Sequence, residues 1–307
     1  PSGRGQLGSV GAVSAQLLEG APVADALLAE TTTEIERLRS FGISPTLALI
    51  RVGEDPASLV YLAKKAAACA RVGIASIDRV FPADMTERAL LEALAELNND
   101  RAVHGILVQL PLPPHLSESV VIRAIEPDKD VDGFHPLNAG RLMAGLPGFV
   151  PCTPFGIVRM LRHAGLDLAG LHAVVIGRSN IVGRPLANLL SRKQPGLNAT
   201  VTLAHAQSGE LSRYTRNADL VVAAVGRPNT VTGDMLKPGA IVIDVGINRI
   251  KDPTRASGHR LVGDVDFGSA CTVAGWITPV PGGVGPLTVA ALCRNTAAAA
   301  AGEGSPL

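Results

Sequence analysis

Six short apolar runs rich in β-branched residues, at residues 46–52, 103–109, 173–177, 199–205, 220–226 and 240–246, are separated by stretches of helical periodicity. The helical patterns fall at about 23–38, 58–72 and 86–98 in the first half and at about 155–163 and 185–190 in the second. Strand, helix, strand in repetition is the signature of βαβ units, whose parallel strands are covered on both faces and therefore read as unbroken apolar runs. The pattern predicts an α/β chain with parallel sheets. With Phe 6, Tyr 2 and Trp 1 among 307 residues, the core has to be built from Ala, Val, Leu and Ile. That length is enough for two ordinary domains, each with its own core. Pro and Gly crowd residues 145–154, where little regular structure is expected to persist. The boundary is placed there, giving a first α/β domain over 1–150 and a second over 151–285, with a last helix at about 286–307 crossing back to complete the first.

Charge and cysteine usage narrow the function classes. Lys+Arg 28 against Asp+Glu 27 supplies no basic excess for a nucleic-acid backbone, and so few rings leave little for base stacking. No nucleic-acid partner is expected. Cys69, Cys152, Cys271 and Cys293 form no C-x-x-C pair and show no His spacing suited to zinc, which fits a reducing, cytoplasmic setting without a metal. No stretch approaches the roughly 18 unbroken apolar residues of a membrane span. The opening residues 1–9 lack the apolar core of a secretory signal and an initiator Met, and are compatible with a vector remnant. Ala297 to Ala301, followed by Gly-Glu-Gly-Ser-Pro, reads as a fraying end.

Residues 171–185 read as a strand, a glycine turn and a helix start, an arrangement that presents backbone N–H groups to a pyrophosphate. The match to G-x-G-x-x-G is partial: Gly177 is in place, Ser179 and Val182 hold the other two positions, and Gly183 falls one late. A tight turn without a ligand accounts for the segment as well. No G-K-[ST] follows, which excludes a P-loop. NAD readers place an acid at the end of the next strand, but here that end is Leu203-Ala-His-Ala206, with no carboxylate before Glu210. Arg178 lies inside the turn, so a cofactor carrying a 2′-phosphate, NADP, is the better match.

Chemistry-bearing residues in the first half are fewer. Tyr61 and Lys65 stand four apart on an expected helix and share a face, while Lys64 points about 100° away and is expected to be solvated. Gln109 ends a buried strand, where open α/β sheets present side chains to ligands. The run Asp128-Lys-Asp-Val-Asp-Gly133 opens like a calcium loop but has Ala139 where a bidentate Glu is required, and Pro136 would disturb the ligating backbone. Asp132 is instead suited to an amidine-like ring edge. Near the end, Thr278-Pro-Val-Pro-Gly-Gly-Val-Gly-Pro-Leu-Thr288 is rigid and poor in Cβ atoms, which suits backbone lying against a flat ligand or a purely structural turn.

These segments together, Y-L-A-K-K, V-Q-L-P-L-P, K-D-V-D-G, P-C-T-P, G-R-S-x-x-V-G-x-P and P-G-G-V-G-P-L-T, resemble the bifunctional methylenetetrahydrofolate dehydrogenase/methenyltetrahydrofolate cyclohydrolase family from about Val13 to Arg294. The resemblance implies two α/β domains, the second Rossmann-like and NADP-binding, with the substrate cleft between them. It implies an enzyme of one-carbon metabolism and purine biosynthesis that oxidises 5,10-methylenetetrahydrofolate with NADP and hydrolyses the methenyl product to 10-formyltetrahydrofolate. Lys65 would be the catalytic lysine, Gln109 its partner, Asp132 the anchor of the pterin ring and Tyr61 the aromatic flanking the folate, beside Pro281, Gly282 and Gly283. Arg178 and Ser179 would meet the 2′-phosphate, and Gly177, Val182, Gly183, Pro185 and His205 would shape the cofactor turn. Thr153, Ile247 and Thr288 would line the cofactor cleft, and a homodimer would form through the cofactor domains. Ala206 departs from the hydroxyl residue the family often carries after that His, which removes one phosphate contact.

The residue types suit the chemistry. Hydride transfer needs two planar rings held together and no strong acid. Attack of water on the methenyl cation benefits from an amine able to take a proton at neutral pH. Lysine's ordinary pKa of about 10.4 is too high, and burial is expected to lower it. Two other readings share the layout: a dehydrogenase of the shikimate-dehydrogenase type, with hydroxyl-rich contacts to a small polyol acid, and a non-catalytic NADP or folate sensor, which would lack the set Lys65, Gln109 and Asp132.

Overall fold

The computed structural model describes residues 15–54, 56–255 and 258–306; residues 1–9, set apart in the sequence, lie outside them. The first half contributes β1 (Gln16–Leu17), α1 (Gly20–Ser40), β2 (Thr46–Val52), α2 (Pro56–Val72), β3 (Ala75–Phe81), α3 (Glu87–Asn99), β4 (Gly105–Val108), α4 (Glu118–Arg123) and α5 (Pro136–Ala144). The second contributes α6 (Cys152–His163), β5 (His172–Ile176), α7 (Gly183–Leu190), β6 (Thr200–Ala204), α8 (Ser212–Thr215), β7 (Leu220–Ala223), β8 (Ile241–Asp244), β9 (Asn248–Lys251), β10 (His259–Val262), α9 (Phe267–Cys271), β11 (Trp276–Ile277) and α10 (Val284–Ala300).

Strand β2 shows why the first sheet is covered on both faces. Side chains alternate across a strand, so Leu47 and Leu49 point one way and Ala48, Ile50 and Val52 the other. The first pair packs with α1 and α10, the second set with Leu90, Leu94 and Leu97 of α3. Those three leucines stand at i, i+4 and i+7 and make one helical stripe. Thr86 caps α3, its hydroxyl accepting from Ala89 N at 3.3 Å. The sheet is parallel in the order β3-β2-β4.

The second sheet is also parallel, six strands in the order β1-β11-β8-β7-β5-β6. Its central strands alternate in the same way: Ala173, Val175, Leu220, Val222, Ile241 and Ile243 face one core, and Val174, Ile176, Val221, Ala223 and Val242 the other. The chain runs outward from β5 to β6 and then returns to the other side of β5 with β7. Strand order reverses there, which opens a crevice beyond the carboxyl ends of β5 and β7.

The two sheets share one apolar core. Leu47, Leu49 and Leu107 of the first and Val175, Leu220 and Ile243 of the second belong to the same buried cluster, bridged by α1, α6 and α10. Helix α10 lies against α1, α2 and α6. The first described strand, β1, pairs with β11 in the second sheet.

Three sequence expectations need correction. Regular structure persists inside residues 145–154, because α6 starts at Cys152 with Pro154 in its first turn, where proline's missing N–H costs nothing. The C-terminal alanines do not fray: Ala297 and Ala298 are buried, and the chain beyond them is tied down where Val150 N donates to Ser305 Oγ at 2.8 Å. Strands β3, β9 and β10 were not anticipated. β3 is a sheet edge with mostly exposed side chains, so no apolar run marks it.

Asn295 holds this arrangement at its centre. It is fully buried on α10, where its Nδ2 donates to Val131 O at 2.8 Å and Val150 O at 3.2 Å, and its Oδ1 accepts from Ser305 Oγ at 2.8 Å. Asn295→Ala strands the Val150 carbonyl and leaves Val131 O with only the weak Cys152 thiol donor, and should cost about 1–3 kcal/mol, read as a lower denaturant midpoint at unchanged slope. A midpoint shift equivalent to less than about 0.5 kcal/mol, the scatter of an ordinary surface substitution, would remove the clamp from the account.

Candidate active site

Gln109 follows the last residue of β4. Its backbone N donates to Ile50 O at 2.8 Å, continuing the sheet, and its side-chain Nε2 donates to Leu110 O at 2.7 Å. With the amide nitrogen so engaged, Oε1 is the atom left facing α2. It accepts from Lys65 Nζ at 3.0 Å. The lysine is half-buried on the inner side of α2, between the partly buried Leu62 and Ala66 and the fully buried Cys69.

The acidic run 128–133 is brought alongside β4 by a backbone ladder: Ile106 N donates to Lys129 O at 2.8 Å and Asp130 bridges Ile106. Its three carboxylates then do three different things. Asp128 pairs with Arg141 at 2.9 Å on the surface. Asp130, 1% exposed, accepts from Phe134 N at 3.2 Å, His135 N at 2.8 Å and Asn138 Nδ2 at 2.9 Å. Burial pushes its carboxyl up to about 7, against the pull of those donors. Asp132 turns toward Lys65: burial raises its pKa and the lysine's charge opposes the rise. The turn depends on Gly133, at φ 74°, where a Cβ would collide with the backbone of Val150 and Pro151. Among the described residues no group of three His, Cys, Asp or Glu side chains is placed to hold a metal ion.

Cys152, which sequence reasoning passed over, touches this acid. Its Sγ lies 3.8 Å from Asp132 Oδ1 and 3.4 Å from Val131 O. Burial and the neighbouring carboxylate push its thiol far above the ordinary range, so it is a neutral donor rather than a nucleophile.

A cleft of about 400 Å³ opens on the outer side of α2. It brings Tyr61, Ile247, Pro281, Gly282 and Gly283 together, and Lys64, exposed as expected, lines it as well. Lys65, Gln109 and Asp132 are not among its walls. The proline-glycine segment is fixed at the start of α1, where Gly20 N donates to Gly282 O at 2.8 Å.

The glycine turn folds back on itself at the crevice. Gly177, at φ 122°, passes against the Ala224 carbonyl, and a Cβ on Gly183 would meet the carbonyl of Gly177. Ser179 Oγ accepts from Val182 N at 3.1 Å, and buried Pro185 anchors α7 behind the turn. Arg178 and Ser179 face solvent at the end of β5, and His205 follows β6 on the neighbouring strand, joined by Gly177 N donating to Ala204 O at 2.9 Å. A tight turn closed by two glycines at a helix start, with an exposed arginine, suits a phosphorylated dinucleotide. Thr153 of α6 and Thr288 of α10 share a hydrogen bond of 2.9 Å.

Comparison with known proteins matches residues 18–132 to the catalytic-domain model of tetrahydrofolate dehydrogenase/cyclohydrolase and residues 151–303 to its NAD(P)-binding-domain model. The chain is 50% identical over 288 residues to the bifunctional protein FolD of Geobacillus thermodenitrificans, covering 94% of this chain and 98% of that one. Its fold is similar to FolD methylenetetrahydrofolate dehydrogenase/cyclohydrolase from Campylobacter jejuni, with a TM-score of 0.88, 45% identity and coverage of 94% and 99%. It is also similar to the Trypanosoma brucei dehydrogenase-cyclohydrolase solved with NADP cofactor and inhibitor, with a TM-score of 0.86, 40% identity and coverage of 92% and 96%.

The turn gives a direct test. Gly183→Ala forces a methyl into backbone, an overpacking cost of about 1–3 kcal/mol. Dinucleotide affinity measured by fluorescence titration should fall about tenfold to a hundredfold, with the circular dichroism spectrum unchanged. Unaltered affinity would mean that the turn does not hold the ligand.

Proposed function

The chain belongs to the tetrahydrofolate dehydrogenase/cyclohydrolase family, and we propose that both reactions of that family run where α2, β4 and the proline-glycine segment meet. It is a bifunctional enzyme of one-carbon folate metabolism that oxidises 5,10-methylenetetrahydrofolate and hydrolyses the resulting 5,10-methenyltetrahydrofolate to 10-formyltetrahydrofolate. Its cofactor is NADP, which when bound supplies the hydride acceptor. Matches to both domain models remove the reason for a shikimate-type dehydrogenase or a sensor.

The observation that carries the site assignment is the Lys65–Gln109 hydrogen bond at the end of β4, with Asp132 close enough for the lysine's charge to act on it. We assign Asp132 to the pterin edge, where an ionised carboxylate accepts two hydrogen bonds from an amidine-like group. Tyr61, with Pro281, Gly282 and Gly283, flanks the folate. Arg178 and Ser179 serve the 2′-phosphate, with Gly177, Val182, Gly183, Pro185 and His205 shaping their turn, and Thr153, Ile247 and Thr288 line the cofactor side. On this reading residues up to 150 with α10 form the folate half and residues 151–285 the cofactor half.

In the hydrolytic step a water oxygen bonds to the one-carbon centre of the methenyl cation, and the Lys65 side chain is placed to take the proton it releases. The carbon–N5 bond then breaks, N5 gains a proton, and the formyl group remains on N10. Gln109 keeps the amine aimed, because its own nitrogen is already committed to Leu110 O. One lysine thus serves a cleft in which the hydride step asks only for alignment. A homodimer formed through the cofactor halves fits the sheet edge that β6 leaves at the end of the strand order. The four free cysteines fit a cytoplasmic setting.

Purified protein given methylenetetrahydrofolate and NADP should develop methenyl absorbance that then decays; the absence of both phases would overturn the reading. Lys65→Met should lower methenyl hydrolysis by about a hundredfold or more, the usual share of a general base. NADP binding should stay intact. Unchanged hydrolysis would remove Lys65 from its role.

A further inference from the structure

Two buried carboxylates stand on the cofactor side of the cleft, and neither has a role in the site assigned above: Asp244 reaches its wall, and Asp264 is not among its lining residues. Asp244 ends β8 and is 4% exposed; Asp264 is fully buried. Asp244 Oδ1 accepts from Gly246 N at 2.9 Å and Asp264 N at 2.8 Å, and its Oδ2 accepts from Val265 N at 2.9 Å. Asp264 Oδ2 accepts from Val225 N at 2.7 Å and Gly226 N at 2.9 Å, and its Oδ1 accepts from Asn248 Nδ2 at 2.8 Å. Six donors from three loops converge on two side chains. Among the described residues no Lys or Arg pairs with either acid, so neither is part of a salt bridge.

The fit is close enough to dictate residue size. A Cβ on Gly246 would strike Asp264, and one on Gly263 would strike the Asp244 carboxylate. The loops gathered in this way are the one after β7, which continues from Ala224 beside Gly177, the one after β8, and the one before α9. Ile247, 48% exposed, sits between Gly246 and Asn248 and reaches the cleft from a loop tied at both ends. Burial pushes Asp244 up to about 6 against its three donors, a sign of how little solvent reaches the cluster.

We propose that Asp244 and Asp264 are positioning residues for the dehydrogenase reaction: they act through the 246–248 and 225–226 loops to hold Ile247 and the crevice rim against NADP. This rests on the cofactor reading above. Lys65, Gln109 and Asp132 lie on α2, after β4 and on the loop laddered to β4, all in the other half, so hydrolysis and NADP-dependent oxidation should respond differently.

The experiment compares wild type, Asp264→Asn and the milder Asn248→Ala. It reads NADPH affinity by fluorescence titration, dehydrogenase KM for NADP and kcat, and hydrolysis of methenyltetrahydrofolate without NADP. Asp264→Asn, which turns an N–H group toward backbone donors, should weaken NADPH binding and raise KM about tenfold, and Asn248→Ala about threefold, while hydrolysis stays within about twofold. Equal losses of both activities, or NADPH affinity unchanged within about twofold, would overturn the proposal. If Asp264→Asn does not fold, Asn248→Ala decides on the same criteria. A wild type that binds NADPH but performs neither reaction would defeat the proposed function, and the variants' NADPH affinities would still judge this inference.

Discussion

The packing of α10 against α1, α2 and α6 sets where the two sheets stand, and everything in the cleft inherits its position from that seam. Its residues are small and aliphatic, Ala290, Ala291, Leu292 and Ala297 on α10 among them, so helix axes approach closely and side chains have few alternative rotamers. Close packing of this kind does not deform gradually. A shift of the last helix would move Thr288 away from Thr153, Asn295 away from Val131, and the proline-glycine segment away from α1. One apolar contact surface therefore fixes polar groups on both sides of it.

Much of the architecture was legible because buried parallel strands leave no room for polar residues. The runs at 46–52 and 240–246 announce themselves, and β2 and β8 fall within them. Strand β3 was invisible for the opposite reason: as an edge with exposed side chains it carries Asp78 and Arg79, and only its partner β2 defines it. The C-terminal alanines misled because Ala has no preference for inside or outside. Burial there comes from α1 and α6, which composition does not reveal.

The site was legible to a different degree. The spacing of Tyr61 and Lys65 gave a shared helix face, yet the structure turns the lysine inward to Gln109 while Tyr61 borders the outer cleft. Four residues along a helix drift by about 40° around its axis, enough to separate neighbours when one is drawn to a partner. The roles of Asp130, Cys152, Asp244 and Asp264 had no signal beyond an acid or a thiol in apolar company. Their importance lies in which backbone N–H groups point at them, and that is decided by chain segments far away in sequence.

The Asn295 clamp has a consequence in time as well as in space. The carbonyls of Val131 and Val150 flank the turn that carries Asp132 and the start of α6, and their side-chain donor comes from α10. Chains emerge from synthesis beginning with the N-terminus, and early segments start folding before later ones exist. The first sheet can form early, since its strands and α3 are complete by residue 108. The loop bearing Asp132 cannot reach its final form until Asn295 has been made. Asp132 is thus locked in by the last helix to appear, so a chain truncated before it would carry every motif up to residue 150 and still lack the geometry that holds them together.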